Sequence, residues 1–254
     1  MQAIEKQLLV LESIAKVGNE QGFSIADLVH ETGLNSSAVH RIFSVLTRRG
    51  YIYQKHKRGP YFIGHKFLLF NGIHKHATGI KEQALPFLEK LCKDISETVD
   101  LLIFDGKSLF SLATIFPKQF LRAVPDTTIV QPFPLHCTAV GKILLASLPG
   151  DEFDRALNSK ALTVYTDNTV TDKAQIRADI EIVRRENVAY DIEEFWIGIM
   201  SVAAPLKDDS GKAIGAISIV GPTQRLTRLK LKQLAPILLD CTLQVSRSLG
   251  YKGE

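Results

Sequence analysis

The spacing of hydrophobic positions divides the first fifty residues into three helices. Apolar residues recur at the 3.6-residue period of a helix over residues 4–17, and the segment "GNEQGF" interrupts this pattern. Ser24 is the predicted N-cap of a short second helix, which ends where Gly33 provides a left-handed turn position. Asn35 then caps a third helix that ends at Gly50 and turns four apolar residues inward: Val39, Ile42, Phe43 and Leu46.

Two short helices joined by a glycine-containing turn are typical of a helix-turn-helix. The next segment, "YIYQKHKRGPYFI", contains two alternating aromatic and β-branched runs around a basic Gly-Pro turn, which predicts a β-hairpin. A helix-turn-helix followed directly by a basic hairpin indicates a winged helix over residues 1–63.

The rest of the pattern predicts a linker helix at residues 64–79 and a second domain at residues 80–254. That domain starts with a helix and the strand "VDLLIF", and a turn at Asp105 and Gly106 leads to the strand "SLFSLATI". Helices are expected at residues 138–148, 173–187 and 227–249, and strands at "VAYDI", "IMSVAAPL" and "AIGAISIV". Antiparallel strands with helices on either side of them predict an α+β fold.

Charge is distributed unevenly between these two parts. Residues 1–76 hold 10 Lys and Arg against 5 Asp and Glu, whereas the remaining residues hold 21 and 22. Six of the seven histidines also lie in the first part. A basic N-terminal module on a nearly neutral body favours a polyanionic partner, although chance surface charge would give the same count.

The third predicted helix presents a polar face opposite its apolar one. It is the second helix of the helix-turn-helix, and in such motifs the second helix lies in the DNA major groove with its N-terminal residues at base edges. Arg41 can pair with a guanine edge or hold a phosphate, and both interpretations stay open. The predicted DNA-binding residues are Ser24, Ser36, Ser37, His40, Arg41, Ser44, Lys57 and Arg58. A solvated helix face, or a winged helix that binds a partner protein, is the alternative.

Composition excludes several other classes of protein. No apolar run approaches the roughly 20 residues needed to cross a bilayer, and charges interrupt the N-terminal segment, so we expect neither a membrane span nor a signal peptide. The cysteines are Cys92, Cys137 and Cys241; their wide spacing predicts reduced thiols in a cytoplasmic protein without a zinc site. We expect no cofactor.

Four segments together resemble the IclR family of bacterial transcription regulators. They are "NSSAVHRIFSVLTRRGYI", "PLHCTAVGKILLASLP", "NVAYDIEEFWIGIMSVAAPL" and "GAISIVGPTQRL", and the resemblance covers essentially the whole chain. It implies a winged helix, a linker helix and a GAF-like effector domain with a mainly antiparallel sheet flanked by helices. Members of the family usually act as homodimers or homotetramers on palindromic operators, more often as repressors, and small carboxylates or aromatic metabolites alter their DNA binding.

The resemblance also implies a set of effector-binding residues. They are Thr138, Ala139, Val140, Asp191, Ser201 and Ser218. Ser201 stands where many relatives have cysteine, and Val220 replaces a serine often found two residues after Ser218, which favours a more apolar pocket and a larger, partly apolar ligand. Each polar member has a structural alternative: Asp191 could cap a turn, and the two serines could be small packing residues.

An enzymatic second domain is the remaining alternative. His136 and Cys137 suggest a nucleophile with Asp191 or Glu193 as its orienting group, but residues adjacent in sequence do not normally face each other. The chain contains no GxSxG, GxxxxGK[ST] or GxGxxG motif. Glu193 and Glu194 are expected to be solvated loop charges. We therefore predict that the protein is not an enzyme.

Overall fold

A computed structural model describes residues 3–17, 22–54, 56, 59–64, 66, 75–104, 109–119, 121–123, 134–158 and 162–253. The chain divides into two compact units, Met1–His76 and Ala77–Glu254. The predicted wing-tip residues 55, 57 and 58, most of the predicted linker helix and the predicted turn at Asp105 and Gly106 lie outside the described residues.

The first unit contains helices α1 (Ala3–Val17), α2 (Ile25–Thr32) and α3 (Ser36–Arg48), followed by strands β1 (Ile52–Gln54) and β2 (Tyr61–Ile63). Both predicted caps are present. The Ser24 hydroxyl accepts a hydrogen bond from the Asp27 amide at 3.2 Å, and the Asn35 carbonyl oxygen accepts one from the Ala38 amide at 2.9 Å. Gly33 has the expected left-handed conformation, with φ of 66°. The predicted order of helices and hairpin is confirmed.

An aromatic cluster holds the hairpin against the helices. The rings of Phe43 on α3 and Tyr61 on β2 meet edge to face with centroids 4.7 Å apart. Phe23 pairs with Tyr61 through two backbone hydrogen bonds of 2.9 and 2.8 Å, so the segment before α2 continues the hairpin. On α1, Val10 and Ile14 join this core, whereas Ile4 and Leu8 are exposed.

The second unit is built on one antiparallel sheet with the strand order β4-β3-β7-β6-β5. Its strands are β3 (Thr98–Phe104), β4 (Leu109–Ile115), β5 (Ala189–Ile192), β6 (Ile199–Lys207) and β7 (Ala213–Pro222). Its helices are α4 (Lys75–Ile95), α5 (Ala139–Ser147), α6 (Gly150–Asn158), α7 (Lys173–Glu186) and α8 (Arg228–Ser248). This arrangement confirms the predicted α+β class; α4 runs unbroken across the predicted boundary at residues 79 and 80.

The two faces of the sheet have different environments. One face, with Leu101, Val202 and Ile217, packs into a large apolar core together with residues of α4 and α8. The opposite face packs partly against α5, through a smaller cluster that includes Leu102 and Ala203. Since α5 is only nine residues long, part of this second face is left for a cavity.

Candidate functional site

Helix α3 separates a buried apolar side from an exposed polar side. Val39 and Phe43 are at most 1% exposed. The five polar residues predicted to face a partner are all exposed: Ser36, Ser37, His40, Arg41 and Ser44. The polar side chains in the N-terminal part of α3, the second helix of this helix-turn-helix, are therefore exposed and can contact another molecule.

Two of the predicted contact serines also have local roles. The Ser24 hydroxyl caps α2, in a reciprocal arrangement in which the Ser24 amide donates to the Asp27 carboxylate at 2.7 Å. The Ser37 hydroxyl donates to the Asn35 side-chain oxygen at 3.0 Å. His56 is exposed, while Lys57 and Arg58 lie outside the described residues.

A cavity lies between the N-terminal end of α5 and the sheet face beneath it; we call it the α5 cavity. It has a volume of about 640 Å³, open mouth included. Its lining includes all six residues that the family resemblance implies as effector-binding: Thr138, Ala139, Val140, Asp191, Ser201 and Ser218. Their role toward a ligand stays a prediction, but the fold brings them together from one helix and three strands.

The N-terminus of α5 supplies backbone donors to this cavity. Thr138 is the N-cap, and its hydroxyl accepts from the Gly141 amide at 3.1 Å. The first intrahelical hydrogen bond runs from the Lys142 amide to the Thr138 carbonyl. The amides of Ala139 and Val140 therefore have no acceptor within the helix, and the positive end of the helix dipole favours an anionic group beside them.

The polar floor of the cavity follows from strand register. Asp191 on β5 pairs with Ser201 on β6, and Ser201 pairs with Val220 on β7. Ser218 lies two residues before Val220, so its side chain projects to the same face of the sheet. Both serines are less than 10% exposed, a burial that fits a ligand contact and a packing role equally well.

Asp191 faces the cavity and also makes the turn-capping hydrogen bond that the alternative interpretation predicts, while its role toward a ligand stays a prediction. It lines the cavity, and its Oδ1 accepts a hydrogen bond from the Glu194 amide at 2.8 Å, which caps the turn after β5. Burial raises the pKa of Asp191 to about 7; the nearby Glu194 also raises it, while the Glu194 amide and Lys142 lower it. Near neutral pH this carboxyl can therefore lose or keep its proton according to what occupies the cavity.

This raised pKa predicts a specific pH dependence of stability. Because the folded protein favours the protonated carboxyl, Asp191 lowers the free energy of unfolding progressively as pH rises from about 4 to about 7, and by a constant amount above that. Asp191→Asn should therefore gain stability relative to the wild type by about 2–3 kcal/mol more at pH ~8 than at pH ~5. Urea unfolding followed by the fluorescence of Trp196, the only tryptophan, measures this difference.

Asp94→Asn on the exposed surface of α4 makes the same substitution outside the cavity and is the matched control. Any effect of the Asn amide itself is the same at both pH values and cancels in the comparison. A stability gap between Asp191→Asn and the wild type that does not change with pH would show that Asp191 titrates near its ordinary value.

A buried ion pair lies close to Asp191, and it corrects the expectation for Glu194. Glu194 is 7% exposed rather than solvated, and its Oε1 accepts a hydrogen bond from Lys142 Nζ at 2.5 Å. Lys142 Nζ also donates to the Tyr190 carbonyl oxygen at 2.9 Å. The pair joins α5 to the end of β5, so it fixes the position of the helix that forms one wall of the cavity.

Comparison with known proteins agrees with both units. Residues 3–56 match the model of the IclR helix-turn-helix domain, and residues 74–247 match the model of the bacterial transcriptional regulator IclR C-terminal domain. The chain belongs to the IclR family of bacterial transcriptional regulators. As a member of this family it is a DNA-binding regulator of transcription.

Individual IclR proteins match over most or all of the chain. The HTH-type transcriptional regulator Rv1719 of Mycobacterium tuberculosis is 38% identical over 80% of this chain and 76% of its own length. The repressor AllR of Escherichia coli K12 is 27% identical over 100% of this chain and 92% of its own length. The crystal structure of the Thermotoga maritima IclR is 27% identical and superposes with a TM-score of 0.75, covering 98% of each chain.

Some cavity residues of this IclR protein are not evident from its sequence. Asp100 on β3 lines the cavity although it stands within a strand of apolar pattern, where a single carboxyl gives no positional signal. Phe195 and Trp196 reach the cavity from the loop after β5, where no periodicity applies. The remaining lining residues that the sequence did not indicate are Leu102, Ala123 and Ile199.

The residues of the enzymatic alternative are not arranged for nucleophilic catalysis. Cys137 is fully buried, and this burial, with the charges of Asp191 and Glu194, raises the pKa of its thiol to about 12. The His136 ring contacts the Thr163 carbonyl oxygen at 3.0 Å, and burial lowers its pKa. Among the described residues, no cluster of side chains suits a metal ion, and no helix is long and apolar enough to cross a membrane.

Proposed function

We propose that this protein is a repressor whose operator affinity changes when a small-molecule effector occupies the α5 cavity. The observation that carries the proposal is the pairing of an exposed polar face on α3 with a separate, partly polar cavity in the second unit. The relatives named as the repressor AllR and as the glycerol operon regulatory protein of Streptomyces coelicolor support control of metabolic genes.

The proposed domain organisation has a winged helix at residues 1–63, a linker helix at 64–79 and an effector domain at 80–254. We propose a homodimer or homotetramer in the cytoplasm that binds a palindromic site, with recognition helices about 34–36 Å apart for half-sites one turn apart. A ligand can change the DNA affinity of such an assembly only if it binds the DNA-competent arrangement of subunits and the other arrangement with different affinities.

The chemistry of the α5 cavity favours a carboxylate or an aromatic metabolite as effector. The free amides at the start of α5 suit an anionic group, and Phe195 and Trp196 offer aromatic surfaces for an apolar part. The Cys137 thiol is not among the groups that line this cavity, and its raised pKa keeps it protonated near neutral pH, which argues against a nucleophilic role. We therefore propose a binding protein without enzymatic turnover.

Arg41 is the residue of α3 whose substitution should affect operator binding most. Arg41→Ala should weaken binding by about 1–3 kcal/mol, roughly fivefold to more than a hundredfold, because a guanidinium contact to DNA is lost. Arg41→Lys distinguishes the two forms of contact. Lysine keeps a phosphate contact through its charge but cannot reproduce a two-pronged contact to guanine. Reduced affinity for the selected site together with relaxed sequence preference in Arg41→Lys therefore indicates base recognition, whereas retained affinity and preference indicate a phosphate contact.

The measurement is selection of genomic DNA fragments by the purified protein, followed by titration of the recovered site across a salt series. Arg155→Ala, on the exposed surface of α6, removes the same charge outside the helix-turn-helix and should bind like the wild type. Wild-type affinity and preference in Arg41→Ala would exclude Arg41 from the interface. Contacts to DNA phosphates weaken steeply with salt, so DNA binding that does not change with salt would argue against an operator. That result, or the recovery of no DNA fragment above background, would favour a partner protein for the winged helix.

A further inference from the structure

Asp100 places a second carboxyl group in the α5 cavity, away from Asp191. Asp100 is 3% exposed and lines the cavity from β3. Three strand spacings separate β3 from β5, and Asp191 lies two residues along β5 from the position opposite Asp100, so the two residues are about 16 Å apart. The two carboxyls therefore contact different parts of any small molecule that fills the cavity.

The backbone beside Asp100 is shaped to hold this carboxyl in one orientation. Ser111 and Thr114 on β4 both donate to Asp100 Oδ1, at 2.7 and 2.8 Å. Residues three apart on a regular strand face opposite sides of a sheet. Here the register shifts at Leu112, which has no partner on β3, so both hydroxyls lie on the side of Asp100. Such bulges commonly aim side chains at functional sites.

The contacts of Asp100 leave its negative charge without a counter-ion. Its two side-chain hydrogen bonds come from neutral hydroxyls on one oxygen, and no charged group is among the causes of its raised pKa, which burial dominates. The described residues that line the cavity include two aspartates and no Lys, Arg or His. A buried carboxylate is costly unless a cation or strong donors compensate it. The described residues supply two hydroxyls and the Leu101 amide but no cation, so the ligand is the natural source of a positive charge.

We propose that Asp100 is a specificity-determining residue of the α5 cavity that accepts a hydrogen bond from an ammonium group of the effector. The anionic end of the same molecule then lies at the free amides of α5, so the ligand class is an amino-substituted carboxylate. This assignment rests on the proposed effector role of the cavity and narrows it. An ammonium group is favoured over a hydroxyl because Asp100 Oδ1 already accepts hydrogen bonds from two hydroxyls, whereas no positive charge among its contacts balances the carboxylate.

Matched pairs of small molecules test this assignment on the full-length protein. Glycine, β-alanine, γ-aminobutyrate and 4-(aminomethyl)benzoate are each compared with the acid in which a methyl group replaces the ammonium: propionate, butyrate, valerate and 4-ethylbenzoate. Binding is titrated by Trp196 fluorescence and calorimetry, and 4-hydroxybenzoate is added as a neutral donor. For at least one pair, the ammonium compound should bind about tenfold or more tightly than its partner, and tighter than 4-hydroxybenzoate.

The variant Asp100→Asn keeps the shape of the side chain and an oxygen for Ser111 and Thr114, but removes the charge. It should lose the preference for the ammonium compound while binding the methyl partner within about threefold of the wild type. Asp94→Asn, the surface control, should keep the preference. No ammonium preference in the wild type, or an unchanged preference in Asp100→Asn, overturns the proposal.

A fractionated small-molecule extract of bacterial cells separates this failure from failure of the proposed function. If a fraction releases the protein from its selected DNA site while no ammonium compound binds, the assignment of Asp100 is wrong and effector control stands. If neither the extract nor any compound has an effect, both are wrong.

Discussion

Lys142→Met should destabilise the second unit by about 3–5 kcal/mol, the largest loss of stability that we expect from a single substitution near the cavity. The reason is that the Glu194 carboxyl is buried and its side-chain hydrogen bond comes from Lys142. Its Oε2 already has no hydrogen-bond partner, and Lys142 Nζ is the donor to its Oε1. Removing the ammonium leaves a carboxylate in a low-dielectric site with neither counter-charge nor donor.

Chemical unfolding followed by Trp196 fluorescence measures this loss, and a double variant identifies the cause. The double variant with Lys142→Met and Glu194→Leu should recover most of the stability, since an apolar pair of similar size often replaces a buried ion pair at little cost.

Lys81→Met on the exposed surface of α4 makes the same substitution without an ion pair and should change stability by less than about 0.5 kcal/mol. A deficit in Lys142→Met that Glu194→Leu does not repair would show that lost packing of the lysine stem, rather than the unpaired charge, is responsible.

Gly141→Ala should destabilise the protein even though alanine is the better helix former. An added Cβ would lie 2.6 Å from the Leu135 Cα atom and 2.7 Å from the Leu135 carbonyl oxygen, and backbone atoms cannot rotate away. The first turn of α5 must then shift from the segment before it, at a cost of about 1–3 kcal/mol. This outweighs the roughly 0.5–1 kcal/mol by which alanine stabilises a helix interior.

The same substitution should weaken ligand binding in the α5 cavity. The added Cβ would also lie 2.6 Å from the Thr138 hydroxyl, so the cap and the neighbouring free amides move together. Unfolding curves give the stability, and titration with the ligand found by the matched-pair experiment gives the affinity. Gly150→Ala at the start of α6 is the control, because its Cβ would meet nothing within 4 Å and should leave both unchanged.

A variant Gly141→Ala that is as stable as the wild type would mean that residues 134–137 yield without cost. In that case the N-terminus of α5 is not held by close backbone packing, and its free amides are a less fixed feature of the cavity than the distances to Leu135 indicate.

The elements that the sequence predicted are those controlled by local interactions. Ser24 and Asn35 cap α2 and α3 through hydrogen bonds within three residues, and Gly33 ends α2 through its own backbone freedom. Thr138 caps α5 for the same reason. Periodicity and capping depend on neighbours in the chain, so a single sequence is sufficient to locate them.

The features that the sequence did not indicate depend on contacts between distant segments. Lys142 and Glu194 are 52 residues apart, and nothing in the local pattern distinguishes a buried pair from two solvated charges. The contacts of Asp100 require the register of β3 against β4, and a shift of one residue at Leu112 determines which hydroxyls it meets. Helix α6 differs from these cases: it was not among the helices assigned from the pattern, although Phe153 and Leu157 are four residues apart and so give a local helical signal; both pack against residues of α5 and α7.

The sheet face with Asp100 and Asp191 has a further consequence for how this protein can evolve. Both carboxyls have raised pKa values because of burial, so the empty cavity is less stable than an apolar replacement would be. Directed evolution for heat resistance in the absence of ligand would therefore tend to replace these two aspartates early. If the two aspartates contact the effector as proposed, such thermostable descendants would keep the fold and lose their response to it, and heat resistance would compete with sensing.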